Sequence, residues 1–283
     1  MKEQSNWMEK MMNLDRRYIF ILVALAVAVP IIFGWSLPTK TSPPVESIFE
    51  YIDELPEGSR VFLACDYDPA SEAELYPMQK AIMRHCFDKN LRVLATTLWP
   101  NGAALIERAF NEMKLEYDIE SGIDYINFGY AVGYSMVVIQ AGQNFQDAFA
   151  VDYRGNSTTN MPIMQGLGGL GDIDYMIDLA AGSTIEMWIA YGSQRYHFDM
   201  GAGCTAVSAT QYYPYLNSGQ INGLIGGLKG AAEYEFLRDP NLEGTDNQAL
   251  AGMTAQSVVH VLIILLVISA NVFYFLTLRK GVA

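Results

Sequence analysis

Two strongly apolar stretches of this chain carry no charged residue, and they constrain its fold more than any other feature. One runs from Tyr18 to Thr39, with the core YIFILVALAVAVPIIFGW. The other runs from Asn247 to Leu278, its apolar part beginning at Val258. Each apolar part approaches the ~20 residues a helix needs to cross the hydrocarbon layer of a bilayer. The pattern therefore predicts two transmembrane helices, over 18–39 and 257–278. The first run is longer than the apolar region of a signal peptide, no small-residue cleavage site follows it, and Trp35 suits an interfacial anchor. These cues favour an uncleaved anchor. Lys2, Lys10, Arg16 and Arg17 precede the first run, and Arg279 and Lys280 follow the second. By the positive-inside rule both tails, 1–17 and 279–283, are expected in the cytoplasm. The segment between the spans is then extracytoplasmic, in a two-pass protein of the plasma (inner) membrane, with the lipid bilayer as its first partner. Asn271, deep in the second run, is a candidate for a hydrogen bond to another helix or to a partner subunit, or for one to its own backbone.

Charge divides along the chain in the same way. The net charge is −13, yet residues 41–255 alone hold 28 acidic against 11 basic residues, a net −17. An acidic domain without clustered Lys and Arg is not built for nucleic acid, so no nucleic-acid partner is expected. With 51% apolar and 17% charged residues the chain is not of disordered composition. Three cysteines are too few for a disulfide framework.

Between a lead-in over 40–59 and a polar linker over 239–256, apolar runs of strand length alternate with stretches of helical period. Strands are predicted at Arg60–Cys65, Leu91–Leu98, Asp124–Phe128, Tyr175–Ala180 and within His197–Val207. Helices are predicted at Pro77–Asp88, from Asn101 to about Leu115, near Tyr134–Phe145, after Ser183, and over Tyr213–Leu237. Ser183-Thr184-Ile185-Glu186 fits a capping box, and Asn101 is placed to cap its helix. Strand and helix repeated in this way imply an α/β domain over 60–238. The expected form is a doubly wound, mainly parallel five-stranded sheet of Rossmann or flavodoxin type, flanked by the two transmembrane helices. The connection Ala150–Asp174 is longer than usual and reads as a binding loop or partner contact.

In such a sheet, ligands meet the loops at the carboxyl ends of the strands. Those loops offer Asp66 and Asp68, Thr96 and Thr97, Tyr130, Ser183 with Glu186, and Cys204 with Thr205. Gly166, Gly168 and Gly171 have G-x-G-x-x-G spacing, but a loop precedes them and a strand follows, the reverse of a dinucleotide site. Asp66-Tyr67-Asp68 after an apolar strand can hold Mg²⁺ and attack a phosphoryl group. The segment resembles the first motif of haloacid-dehalogenase-type phosphatases over about ten residues. It departs from that motif at Ala70, where the family has Thr or Val, and the resemblance would make Asp66 and Asp68 catalytic and metal-binding. The plain alternative is that Asp68 caps the following segment. Cys204, among small residues at a strand end, is a candidate thiol nucleophile that would need a base, with His85 and His197 available.

The run from Gly219 to Ala232 places Gly223, Gly226, Gly227 and Gly230 in a small-residue stripe. It marks close packing on the sheet, a helix contact with another subunit, or a segment that is partly loop. Tyr213 and Tyr215 just before it are candidate interface residues. No cofactor is implied. No catalytic constellation is complete, so the expected function is a non-catalytic scaffold or assembly subunit of a membrane complex, with other membrane-protein subunits or further copies of itself as partners. A membrane-bound hydrolase and a ligand-sensing domain are the alternatives.

Overall fold

The computed structural model describes residues 15–35, 40–240 and 248–279. Lys2, Lys10, Lys280 and part of the expected linker lie outside the described residues. The chain divides into two compact units, one formed by its two ends and one running from Thr39 to Leu242.

In the first unit the apolar runs form helices α1 (Arg16–Ile32) and, late in the chain, Gln248–Arg279, which pack side by side. Among the described residues one helix is long and apolar enough to cross a membrane, Ala249–Leu276. The expectation of two spans is met at this end only. Helix α1 has 17 residues, the first two of them arginines. At 1.5 Å per residue it rises about 26 Å, short of the ~30 Å hydrocarbon layer.

The second unit is an α/β fold around one all-parallel sheet. Helix α2 (Pro43–Glu54) comes first, its Val45, Ile48 and Ile52 forming an apolar stripe at helical spacing, with prolines favourable in its first turn. The expected lead-in is therefore largely a helix of the domain. There follow β1 (Arg60–Asp66), α3 (Glu72–Asp88), β2 (Arg92–Thr97), α4 (Gly102–Glu116), β3 (Tyr125–Tyr130) and α5 (Ser135–Gln143). After the long connection come β4 (Tyr175–Ala180), the short α6 (Thr184–Met187) continuing into a π-helical turn (Trp188–Ser193), and β5 (Met200–Cys204). The chain then forms α7 (Ala209–Asn217), β6 (Gly223–Gly226) and α8 (Gly227–Arg238). The strand order is β3-β2-β1-β4-β5-β6, that of the doubly wound Rossmann fold.

The sheet thus has six strands where five were expected. The predicted helix Tyr213–Leu237 is broken into α7, β6 and α8, because glycine is a poor helix former and here serves a strand pressed against a helix. A Cβ on Gly223 would lie 2.4 Å from Ile48 Cγ1 and 2.6 Å from the Pro44 carbonyl of α2. Gly227 turns the chain from β6 into α8 at φ +59°, a conformation that favours glycine. Helix α3 starts five residues earlier than expected, with Glu72 and Glu74 in its first turn, where carboxylates suit the helix dipole. Neither Asn101 nor Ser183 makes a side-chain capping bond, so the expected capping box does not form.

Residues of opposite parity face opposite sides of the sheet. One face carries Phe62, Ala64, Asp66, Met176, Asp178, Ala180, Ala202 and Cys204, and its core is aromatic. Phe62 meets Phe145, Phe149 and Trp188 edge-on at ring distances of 5.6, 5.9 and 5.6 Å. The long connection is part of this core. Ile163, Met164, Leu167 and Leu170 are buried in it, and Arg60 holds the backbone carbonyls of Ile163 and Gln165 at 3.2 and 2.5 Å. The glycine run within it follows a loop and leads to β4, as the predicted order of elements implied. Asp172 accepts hydrogen bonds there from the Gly168 and Gly169 backbone N–H groups.

Candidate functional site

The strand order reverses between β1 and β4, where a crevice-side ligand site is expected at the carboxyl ends of the strands. Register brings two carboxyls together there. Ala64 pairs with Asp178 and Asp66 with Ala180, so Asp66 and Asp178 are diagonal neighbours on the same face. Both are fully buried. Asp66 accepts the Leu98 backbone N–H at 2.5 Å on one oxygen and the Trp188 indole N–H at 3.1 Å on the other. The Asp178 carboxyl and the buried Thr184 hydroxyl meet only Asp66 and each other.

The electrostatics follow from this asymmetry. Burial pushes the Asp66 carboxyl up, and the two N–H donors hold it back. Burial pushes Asp178 further, and the neighbouring Asp66 charge adds to the rise. Asp66 therefore ionises first, and Asp178 keeps its proton to higher pH than Asp66 does.

The sequence candidates fall into separate groups. Asp68 does not join Asp66. Its carboxylate accepts the Ala70 backbone N–H at 3.0 Å within its own turn. Thr96 and Thr97 are buried and bonded to main chain, Thr96 to the Gly129 carbonyl at 3.2 Å and Thr97 to Trp99. Glu186 accepts from the Tyr212 hydroxyl at 3.3 Å, Thr205 donates to Ser208 at 3.1 Å, and Ser183 is exposed. Cys204 shares the Asp178 face on β5, and burial pushes its thiol up to about 12. No base serves it. His85 bonds the Tyr234 hydroxyl at 2.8 Å and faces Asp53 at 3.5 Å, while His197 precedes the amino end of β5. Cys65, Cys86 and Cys204 are all free.

Among the described residues no group of three or more His, Cys, Asp or Glu side chains forms a metal site. Gly223, Gly226, Gly227 and Gly230 all lie at close approaches within the chain. Tyr213 lines a cavity of about 260 Å³ with Ser42, Gly226 and Glu233, and the half-buried Tyr215 packs against the aromatic core. Asn271 donates to the Val267 carbonyl one turn back at 2.8 Å.

Two features escaped the sequence reading. Asp178 is one polar residue in an apolar strand, and its partner becomes visible only with the strand order. The turn after β3 presents Val132, Tyr134 and Met136 at 75%, 50% and 69% exposure. The available signal was an uncharged run of 22 residues, Tyr125–Gln146, in an otherwise acidic domain. Tyr134 holds φ +47° and ψ −117°, a strained conformation for a bulky residue that is characteristic of functional segments. Comparison with known proteins found no matching family model, no similar curated protein and no similar solved structure, so this chain stands on an α/β fold of Rossmann strand order and on its own site geometry.

Proposed function

We propose that the chain is a plasma-membrane protein held by its C-terminal apolar helix, with the basic end of that helix on the cytoplasmic side. Its extracytoplasmic α/β domain is a non-catalytic scaffold or assembly subunit, joined to other membrane subunits or to further copies of itself. The observation that carries the reading is the turn after β3, where Val132, Tyr134 and Met136 stand exposed beside the part-exposed Tyr130. Exposed apolar clusters of this kind mark protein contacts. The hydrolase alternative draws no support from the geometry, since Asp68 is engaged in its own turn and the Cys204 thiol stays protonated at neutral pH.

The test is a double variant, Val132→Asp with Met136→Asp, in the full chain extracted with a mild detergent. Both side chains are largely exposed, so the fold should persist, as circular dichroism will verify. The native particle is expected to shrink relative to the unaltered chain. An unchanged particle mass would contradict the role given to this turn.

A further inference from the structure

We infer that Asn156 is an N-glycosylation site, taking its glycan from a lipid-diphosphate-linked oligosaccharide. The inference rests on the extracytoplasmic placement of the domain, because acceptors of this type are glycosylated on that side of a membrane. Of the fourteen asparagines in the chain, Asn156 alone begins an N-x-[ST] acceptor triplet, Asn156-Ser157-Thr158.

The structure sets this triplet on a surface loop of the long connection before β4. Val151 and Ser157 pair in an antiparallel bridge that closes the loop, and Tyr153, Arg154, Gly155, Asn156 and Ser157 are exposed at its tip. A Cβ built on Gly155 would meet nothing within 4 Å, so there is room for a large group beside Asn156. Asp152 fixes the loop from below. One of its oxygens accepts the Arg154 and Asn156 backbone N–H groups at 2.9 and 2.8 Å, and the other accepts the Asn156 side-chain amide at 2.9 Å. A glycosylated asparagine is a secondary amide that keeps one N–H, so this last bond and a glycan can coexist. The Thr158 hydroxyl is buried and donates to the Phe149 carbonyl at 2.6 Å, so the transferase must read it before the loop folds. In the transfer the Asn156 amide nitrogen bonds to the anomeric carbon of the first sugar. The bond from that carbon to the diphosphate breaks, the lipid diphosphate leaves with its electron pair, and the amide proton passes to a base of the transferase. The Tyr153 backbone N–H donates to the Asn127 carbonyl of β3 at 2.7 Å, so the glycan would stand beside the outer strand of the sheet. There it would shield an edge that could otherwise pair with another chain.

The full chain, isolated from the membranes of the cells that naturally make it, should yield a tryptic peptide Gly155–Arg195 carrying the mass of an oligosaccharide on Asn156. Asn156→Gln, at an exposed position, should remove the added mass and increase gel mobility. Thr158→Val should remove it as well, whereas Thr158→Ser, which keeps the hydroxyl, should retain it. A membrane-impermeant amine reagent applied to intact cells reports sidedness independently through the exposed Lys114 and Lys229. Labelled lysines with an unmodified Asn156 would overturn the glycosylation site and leave the domain outside the membrane. Unlabelled lysines with an unmodified Asn156 would overturn both. An added mass that persists in Asn156→Gln would also overturn the site.

Discussion

Replacing Asp178 by Asn in chelator-containing buffer should stabilise the protein at neutral pH and do so less at acidic pH. In the unfolded chain an aspartate titrates near 3.9. In the fold, burial and the Asp66 charge hold the Asp178 carboxyl well above that value. A carboxyl raised by folding binds its proton more tightly in the native state, so stability falls as pH climbs from the unfolded pKa towards the folded one. Each pH unit in that window costs about 1.4 kcal/mol, so raising pH from 5.5 to 7.5 removes at most about 3 kcal/mol through this group. Asn keeps the shape and has no proton to lose, so the variant escapes this term. The stability difference between variant and parent should therefore grow over those two pH units. For a domain of this size the growth corresponds to a Tm gap widening by up to ~10 °C. The assay is thermal unfolding by near-ultraviolet circular dichroism at the two pH values, where the difference between the two proteins cancels the carboxyls that do not touch Asp178. A gap that is the same at both pH values, or that narrows as pH rises, would refute the raised carboxyl.

Other residues give equally direct expectations. Gly223→Ala drives a methyl group into Ile48 and the Pro44 carbonyl and should cost about 1–3 kcal/mol in denaturant unfolding. Trp188→Phe keeps much of the aromatic packing but leaves an Asp66 oxygen without its donor, for a loss of about 1–3 kcal/mol. Cys65, Cys86 and Cys204 are buried thiols pushed up by burial, so iodoacetamide at pH 8 should modify all three in denaturant and none in the native protein, as read by mass spectrometry.

What the sequence made legible follows from physics of short range. Strands β1 to β5 stand out because strands buried on both faces are nearly continuous apolar runs, as in Val61–Cys65 and Tyr175–Leu179. Strand β6 does not, because GLIG has two apolar side chains and two glycines, of which Gly223 makes room for Ile48 and Pro44 in a helix far away in sequence and Gly226 for Ala209. Helix α2 was hidden by Pro43, Pro44 and its acidic residues, which resemble a linker until Val45, Ile48 and Ile52 are seen as one stripe. The first apolar run was read as a span over 18–39 because it is uncharged, and the end of its helix at Ile32, within that run, has no mark in the sequence. At the site, Asp66 was recognisable from its place at the end of a strand. Asp178, Thr184 and Trp188 were not, because they reach Asp66 only once β4 lies beside β1. The exposed turn after β3 offers only an absence of charge in sequence, and exposure is a property of the folded surface.

The central claim is that this domain works as a subunit, and the native mass of the unaltered full chain tests it most directly. Light scattering on the chain gently extracted in mild detergent, corrected for bound detergent, should give a protein mass that is a multiple of 31.5 kDa or larger through co-purifying subunits. A protein mass of 31.5 kDa, that of a single chain, would contradict the account.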